Sequence, residues 1–298
     1  MPEISFIILN YNGFDETSKL VQSMLKWDIS KLDFNIVVVD NCSSDDSFER
    51  LKNAFNQIEY IDVIQSEHNG GYSYGNNFGA KFAIEKYNPC YLAIANPDIQ
   101  IDQDAVIALL TGFGVNDKIA MTAPVMQNTE GGYKVCSQKL PTFYDDFRMC
   151  WTEKNPPSVM TDRFETIPGH ENMILSEMLP GSFFVVKTKC FQEAGMFDDG
   201  VFLFCEERII GKRLKDLGYK LILRSDLFFI HAHSVTIKKA MDSIKTWKII
   251  WKSRIYYQKK YNKVNQLKLV LLRLGAWYFL QVLAVKSKLY NWKHAIRP

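Results

Sequence analysis

The 298-residue chain has no CxxC pair among its six cysteines, and none of them stands at zinc-ligand spacing from a histidine. That excludes a disulfide scaffold and a zinc module. Most of Cys42, Cys90, Cys136, Cys150, Cys190 and Cys205 are flanked by apolar residues, so they read as reduced, mostly buried thiols in a reducing, cytosolic setting. Met1–Leu9 has no basic stretch before its apolar run, so no secretory signal is expected. GxGxxG and the P-loop lysine are both missing, and with them the usual dinucleotide and ATP fingerprints. The longest uncharged apolar run, Leu274–Val285, is twelve residues. A bilayer needs about 20, so no spanning segment is expected. Internal repeats and low-complexity segments are also missing. A hydrophobic fraction of 47% and a charged fraction of 23% exclude disorder and collagen, and describe a packed globular protein.

A formal net charge of +3 conceals an uneven distribution. Residues 237–298 hold fifteen Lys/Arg and one acid, Asp242, for a net of +14. The preceding 236 residues hold 21 bases and 32 acids, a net of −11. An acidic body with a basic tail bears on partners.

The first hundred residues alternate. Ile4–Leu9, Phe34–Asp40, Tyr60–Ile64 and Tyr91–Ala95 are short apolar runs that predict strands. Glu16–Trp27, Asp46–Phe55 and Ser73–Tyr87 have helical spacing, and Asp46 with Glu49 resembles a capping box. Continuous apolar strands separated by helices mean a parallel sheet covered on both faces, with ligands at its carboxyl edge. Further along, Asp104–Asn116 predicts a helix and Ile119–Ala123 a strand, while Gly131–Gly169 reads as long loops over a site. Phe183–Lys187, Lys220–Arg224 and Phe228–His231 predict strands, and Glu206–Leu217 a helix ended by Gly218.

Polar clusters fall at the predicted strand ends. The first is Asn10-Tyr11-Asn12-Gly13, the second Asp40 to Asp45, the third Asn96-Pro97-Asp98. Together they suit a nucleotide: Tyr11 can lie against a base and Asp40 can accept from a base or ribose, although Asp40 and Asn41 serve equally as helix caps. The glycine-rich entry Asn69-Gly70-Gly71 through Asn76-Asn77 brings backbone N–H groups toward an anion, or is a plain turn. Pro97 stiffens its turn, and one carboxylate there, Asp98, can hold a hard divalent cation with substrate phosphates. Glu206-Glu207 follows an aromatic run, a setting for a general base or for a pair of helix-dipole acids. His231 and His233 share one face of a strand and can complete a metal site with Asp98 or contact phosphate.

In order, these motifs resemble the inverting GT-A glycosyltransferases of family 2 from about Ile4 to Thr236. The matching segments are Ile7–Asn12, Val38–Asp45, Asn69–Asn77, Asn96-Pro97-Asp98, Pro180–Phe184, Glu206-Glu207 and a late His231 or His233. Asn96 in place of the first Asp of a DxD motif resembles the rhamnosyltransferase-like branch. Two features depart from the family pattern: Glu207 stands where an Asp is usual, and no Gln-x-x-Arg-Trp motif follows, which argues against a processive polymerase.

The resemblance implies an α/β GT-A fold, Rossmann-like, with a mostly parallel sheet flanked by helices. Residues 1–100 would be the nucleotide-sugar half, 101–236 the acceptor half, and 237–298 a basic and apolar helical extension. It implies a nucleotide-sugar donor, dTDP-rhamnose first and UDP-hexoses second. Asn10, Tyr11, Asn12, Asp40, Asn41, Ser43, Asn69, Gly70, Gly71, Asn76 and Asn96 would bind that donor. Gly181 and Ser182 would face the acceptor, a glycan or a polyprenyl-diphosphate-linked sugar. Mg²⁺ or Mn²⁺ would sit at Asp98 with His231 or His233, and Glu207 or Glu206 would take the acceptor proton. The tail, with Trp247, Trp251, Trp277 and Trp292, suits the anionic inner face of a membrane better than nucleic acid. A basic helix packed on the acidic body, or a homo-oligomer, are the other expectations for it. Two further readings are a sugar nucleotidyltransferase, whose basic glycine-rich signature Asn10–Asp15 lacks, and a catalytically inactive membrane scaffold.

Overall fold

The computed structural model describes residues 3–133, 137–152, 160–161, 165–232 and 244–295. Its apolar runs form β1 (Ile4–Asn10), β2 (Phe34–Asp40), β3 (Ile61–Gln65) and β4 (Tyr91–Ala95). These pair in parallel in the order β3-β2-β1-β4. Every residue of β2 is buried, as a strand covered on both faces requires. Helices α1 (Phe14–Met24), α2 (Ser47–Phe55) and α4 (Gln103–Gly112) pack on one face through Leu20, Leu51 and Val106. On the other face, Ala80 and Ala83 of α3 (Gly71–Tyr87) join an equally dry cluster. That helix sits close because it carries glycine: a Cβ at Gly79 would lie 2.4 Å from Val39 Cγ2.

Beyond β4 the sheet is mixed. The remaining strands are β5 (Ile99–Gln100), β6 (Ile119–Gln127), β7 (Ser137–Gln138), β8 (Met160–Thr161), β9 (Thr166–Ile167), β10 (His170–Ser176), β11 (Phe183–Lys187) and β12 (Lys220–His231). β11 lies antiparallel between β4 and β6, whereas β12 runs parallel to β6. The start of β11 therefore lies beside the end of β4, and Asn96 N–H donates to Ser182 O at 2.8 Å. This reversal brings Ser182, 86 residues downstream of Asn96, to the carboxyl edge. α6 (Thr188–Glu193) and α7 (Glu206–Asp216) cover the α3 face through Phe191 and Ile210.

Several sequence expectations need correction. The stretch 131–169, expected as loops, contains α5 (Phe143–Met149), which opens with a true capping box between Thr142 and Asp145. The box expected at Asp46 does not form: Asp46 makes no capping bond and pairs with Arg50 at 3.6 Å. The two short strands expected at 220–224 and 228–231 are one strand with a register irregularity between Arg224 and Phe228. Cys150, Cys190 and Cys205 are buried, but Cys42 and Cys90 are exposed. Cys136 and His233 lie outside the described residues.

The tail forms α8 (Ile244–Lys260) and α9 (Gln266–Ala295). α8 is docked on the body rather than laid out as a free basic surface. Trp251 and Tyr257 are buried, and Arg254 points to Asp146, which is 0% exposed. Asp146 also accepts from Arg208 Nη1 at 3.0 Å and from Gln258 Nε2 at 2.7 Å. A second acid, Asp198, accepts from Tyr256, Lys260 and Tyr261. Burial alone would raise the Asp198 pKa, but the Lys260, Tyr261, Gly200 and Tyr256 hydrogen bonds hold it well below the usual carboxylate range. α9 packs on α5 and α8 through Leu272, Ala276 and Phe279. It continues through Lys268 and Arg273, so Gln266–Ser287 is 22 residues and long and apolar enough, by length and composition, to cross a membrane. The twelve-residue run understates it, because the apolar stretch extends past Lys268 and Arg273, whose long stems can carry their charges away from apolar surroundings.

Replacing Asp146 with Ala would leave Arg208 and Arg254 buried together without a counter-charge. The expected cost is about 3–5 kcal/mol in urea-induced unfolding. A loss under about 1 kcal/mol would show that water or another group replaces the carboxylate.

Candidate active site

Three groups of residues lie along the carboxyl edge, and the second and third line separate openings. In the first, Asn10 and Asp40 lie opposite each other in the β1–β2 register, and both are 0% exposed. Asp40 Oδ2 accepts from Asn10 Nδ2 at 2.7 Å and Ser43 Oγ at 2.6 Å. Its Oδ1 accepts from Ser43 N–H at 2.8 Å and Gln65 Nε2 at 3.1 Å. The carboxylate is thus spent on holding two loops together. What those loops present outward is Tyr11, 49% exposed, and Asn12, whose φ of 51° Asn tolerates better than most residues. Asn41 donates to Asn69 Oδ1 and Gly71 O, both at 3.1 Å, tying the glycine-rich turn to β2. Gly71 has φ +88°, and a Cβ there would lie 2.0 Å from Phe202 O, so only glycine fits. At Gly70 a Cβ would meet the Tyr74 ring at 2.4 Å. Asn76 stands apart from this group: it is 0% exposed and donates to Tyr72 O within α3.

The second group lines a cavity of about 150 Å³ shared by Tyr72, Asn96, Gly181, Phe204, Glu206 and Glu207. Strand reversal supplies Gly181 and Asn96, and a strained turn supplies the acids. Phe204 and Cys205 have φ of 70° and 73°. Two left-handed non-glycine residues in succession cost on the order of 1–3 kcal/mol each. They set Glu206 and Glu207 as the first residues of α7, where the helix dipole favours negative charge. The two acids differ sharply in environment. Glu206 is 6% exposed and its Oε1 has no hydrogen-bond partner among the described residues, whereas Glu207 is half-buried. Burial, then the Glu207 charge, pushes the Glu206 pKa up to about 8. Tyr72, which sequence reasoning did not single out, donates its hydroxyl to Gly181 O at 2.6 Å and so pins the Gly181 loop to α3. Burial, then Glu206 and Glu207, raises its phenol pKa well above the ordinary value. Arg208, also missed, follows Glu207 directly and reaches the buried Asp146. Its only sequence signal was a cation next to a carboxylate pair.

The third group is Asp98 and His231. β5 pairs with β12, placing His231 opposite Ile99, and the His231 Nε2 to Asp98 Oδ1 distance is 3.1 Å. With Asp98 ionised, the imidazole is the donor. The Asp98 side chain is 6% exposed, and its Oδ2 has no hydrogen-bond partner among the described residues. Asp98 borders a cleft of about 830 Å³ with Glu16, Lys19, Asp102 and Ala232. No cluster of three or more His, Cys, Asp or Glu side chains occurs among the described residues.

The sequence model described as Glycosyl transferase family 2 matches residues 5–167, more than half of the 298-residue chain. The chain belongs to glycosyl transferase family 2. This family 2 chain is 26% identical over 212 residues to the low-salt glycan biosynthesis hexosyltransferase Agl10 of Haloferax volcanii, covering 70% of this chain and 60% of that protein. It is 34% identical over 71 residues to the poly(ribitol-phosphate) beta-N-acetylglucosaminyltransferase TarS of Staphylococcus aureus, covering 24% of this chain and 12% of that one. The chain therefore matches less than two thirds of the length of either relative. Among solved structures, GalNAc-T7 with UDP, GalNAc and Mn²⁺ superposes with a TM-score of 0.61 at 14% identity, over 97% of this chain and 58% of that one. The mannosyltransferase PcManGT of Pyrobaculum calidifontis, in complex with GDP-Man and Mn²⁺, gives 0.58 at 13%, over 95% and 73%. At these identities the two structures establish the GT-A fold of this family 2 chain.

The raised Glu206 pKa has a consequence for stability. The folded protein keeps a proton that the unfolded chain loses near the ordinary value of 4.5. Stability from this group is fully present below 4.5 and is lost as pH rises through about 8. Glu206→Gln should melt like the parent near pH 4.5 and be more stable than it at pH 8, by at least about 1 kcal/mol. Parallel melting curves at both pH values would show that Glu206 is not held neutral.

Proposed function

We propose that this protein transfers a hexose from a nucleotide-sugar donor to a glycan or lipid-linked acceptor, inverting the anomeric carbon. The observation that carries this reading is the shared cavity: Glu207 and Glu206 face Gly181 and Asn96 there, and Asp98 follows two residues after Asn96. The hexosyltransferase relative, the GDP-Man complex of one solved structure and the UDP and GalNAc bound in the other support it.

Glu207 is the base in this reading. A neutral, buried Glu206 cannot accept a proton, whereas half-buried Glu207 can. The acceptor oxygen attacks the anomeric carbon as its proton passes to a Glu207 carboxylate oxygen. The bond from that carbon to the diphosphate breaks, the electron pair leaves with the nucleoside diphosphate, and one displacement inverts the centre. Glu206 is a positioning residue: its acid form hydrogen-bonds the Glu207 carboxylate and keeps a second charge out of the cavity. Tyr72 fixes the acceptor-side loop through Gly181. The bracket of Asn10, Asp40 and Ser43 aims Tyr11 and Asn12 at the nucleotide.

Mg²⁺ or Mn²⁺ suits the residues present, because Asp98 Oδ2 is buried without a partner while His231 holds Oδ1. Mg²⁺ commonly takes only one or two carboxylates and completes its shell with phosphate and water. When bound, such a cation offsets diphosphate charge and makes the nucleotide a better leaving group. The resemblance of Asn96-Pro97-Asp98 to the rhamnosyltransferase-like branch makes dTDP-rhamnose the proposed donor.

Glu207→Gln should lower transfer by about 10²–10⁴-fold with nucleotide affinity unchanged, and Glu206→Gln should retain most activity. The reverse pattern would exchange their roles. Asp98→Ala should abolish metal-dependent donor binding by calorimetry, and donor affinity unaffected by EDTA in the parent would remove the metal from this account. A thermal-shift screen of nucleoside diphosphates with Mn²⁺ should favour dTDP; a larger shift with UDP or GDP would replace the rhamnosyl donor.

A further inference from the structure

α9 has two opposite faces. Leu269, Leu272, Ala276 and Phe279 are buried, the last three against α5 and α8. At 100° per residue, Leu267, Val270, Leu274, Trp277, Tyr278 and Val285 form a second stripe on the far side. All six are 46–69% exposed. The stripe is about 27 Å long, from the 18 residue-to-residue steps between Leu267 and Val285 at 1.5 Å each. Trp151 at the end of α5, 59% exposed, extends it laterally, with its ring 5.0 Å from that of Tyr278. Arg273 borders one side, and Lys268 and Lys286 the other. Exposed Gln281 is the one polar side chain within the arc of this stripe, and soluble surfaces rarely leave an apolar strip of this length without a partner.

The geometry points to an anionic lipid surface as that partner, with α9 lying in the plane of the interface and not crossing it. Charge selects lipid over a second copy of the chain. Residues 244–295 contain twelve Lys/Arg and no Asp or Glu. Two such helices would bring like charges together around an apolar seam, whereas anionic headgroups neutralise the same border. Trp277, Tyr278 and Trp151 are the side chains that favour the headgroup boundary. Packing selects lying over spanning: Gln266–Ser287 could cross by length, but only by pulling Leu272, Ala276 and Phe279 out of the cluster that holds α5 and α8. A Cβ at Gly275 would sit 2.5 Å from Cys150 Sγ, so α9 is seated too closely on α5 to be a loosely tethered segment. This surface does not depend on the assignment of Glu207 or of the donor.

The test uses the intact protein with vesicles of phosphatidylcholine alone or mixed with phosphatidylglycerol. Sedimentation with the mixed vesicles is expected, at least tenfold stronger than with the neutral ones and weakened by high salt. Leu274→Ser with Trp277→Ser should lose it at least tenfold, and Arg273→Gln with Lys286→Gln should weaken it. Trp277→Ser alone, at an exposed site, serves if the double variant fails to fold, and should still reduce binding measurably. Alkaline carbonate should release the bound protein. Unchanged binding by the variants, or equal binding to neutral vesicles, overturns the surface. Retention through carbonate overturns the in-plane arrangement. A lipid-free dimer by light scattering that Trp277→Ser dissolves assigns the stripe to a second copy instead.

Discussion

Asp146 is fully buried, with two guanidiniums and an amide around it. Its partners come from different parts of the chain. Arg208 is in the first turn of α7, one residue after Glu207, while Arg254 and Gln258 belong to α8 in the tail. Withdrawing a carboxylate and two guanidiniums from water is costly unless all are paired in place. The cluster therefore forces α5, α7 and α8 into one arrangement. The helix start that presents the acids and the two helices, α5 and α8, on which α9 is seated are fixed by the same charge.

That constraint explains how the Glu206–Glu207 turn survives. Phe204 and Cys205 both take left-handed conformations that other backbones would avoid. The turn persists because α7 is held from both ends of its first turn: Arg208 by Asp146, and the preceding loop by Tyr72 N–H bonding Phe202 O at 2.8 Å. The result is two neighbouring carboxyl groups in unlike surroundings. Glu206 is buried, with its pKa pushed up, and Glu207 is half-buried; the proposed division into supporting acid and base rests on that difference.

Much of the first half was legible in the sequence because strand burial there is a local pattern. Ile4–Leu9, Phe34–Asp40 and Tyr91–Ala95 need no distant partner to be recognised as buried strands, and the polar tips beside them follow from chain direction alone. In the second half Phe183–Lys187 and most of Lys220–His231 were also legible as strands, but β10 and the order in which β10, β11 and β12 pair were not, because that order comes from strand reversals that periodicity does not encode. α5 was missed for a similar reason: Phe143–Met149 is too short for a periodic signal, and Asp146 inside it looks like any surface acid until Arg208 and Arg254 arrive. Asp40 was legible by position at the carboxyl edge, but its four hydrogen bonds show a carboxylate that builds the loops and leaves Tyr11 and Asn12 exposed.

The charge asymmetry of the chain was plain in its composition, and so was the presence of apolar, aromatic-rich helices in the tail. Composition counts charges without saying which will meet. Only the tertiary structure decided that Arg254 and Lys260 neutralise acids of the body while α9 turns an uncharged stripe outward between basic borders. The physical reason is range: hydrophobic periodicity acts between residues three or four apart and can be read along the chain, but an ion pair between positions 146 and 254 exists only after folding has brought them together.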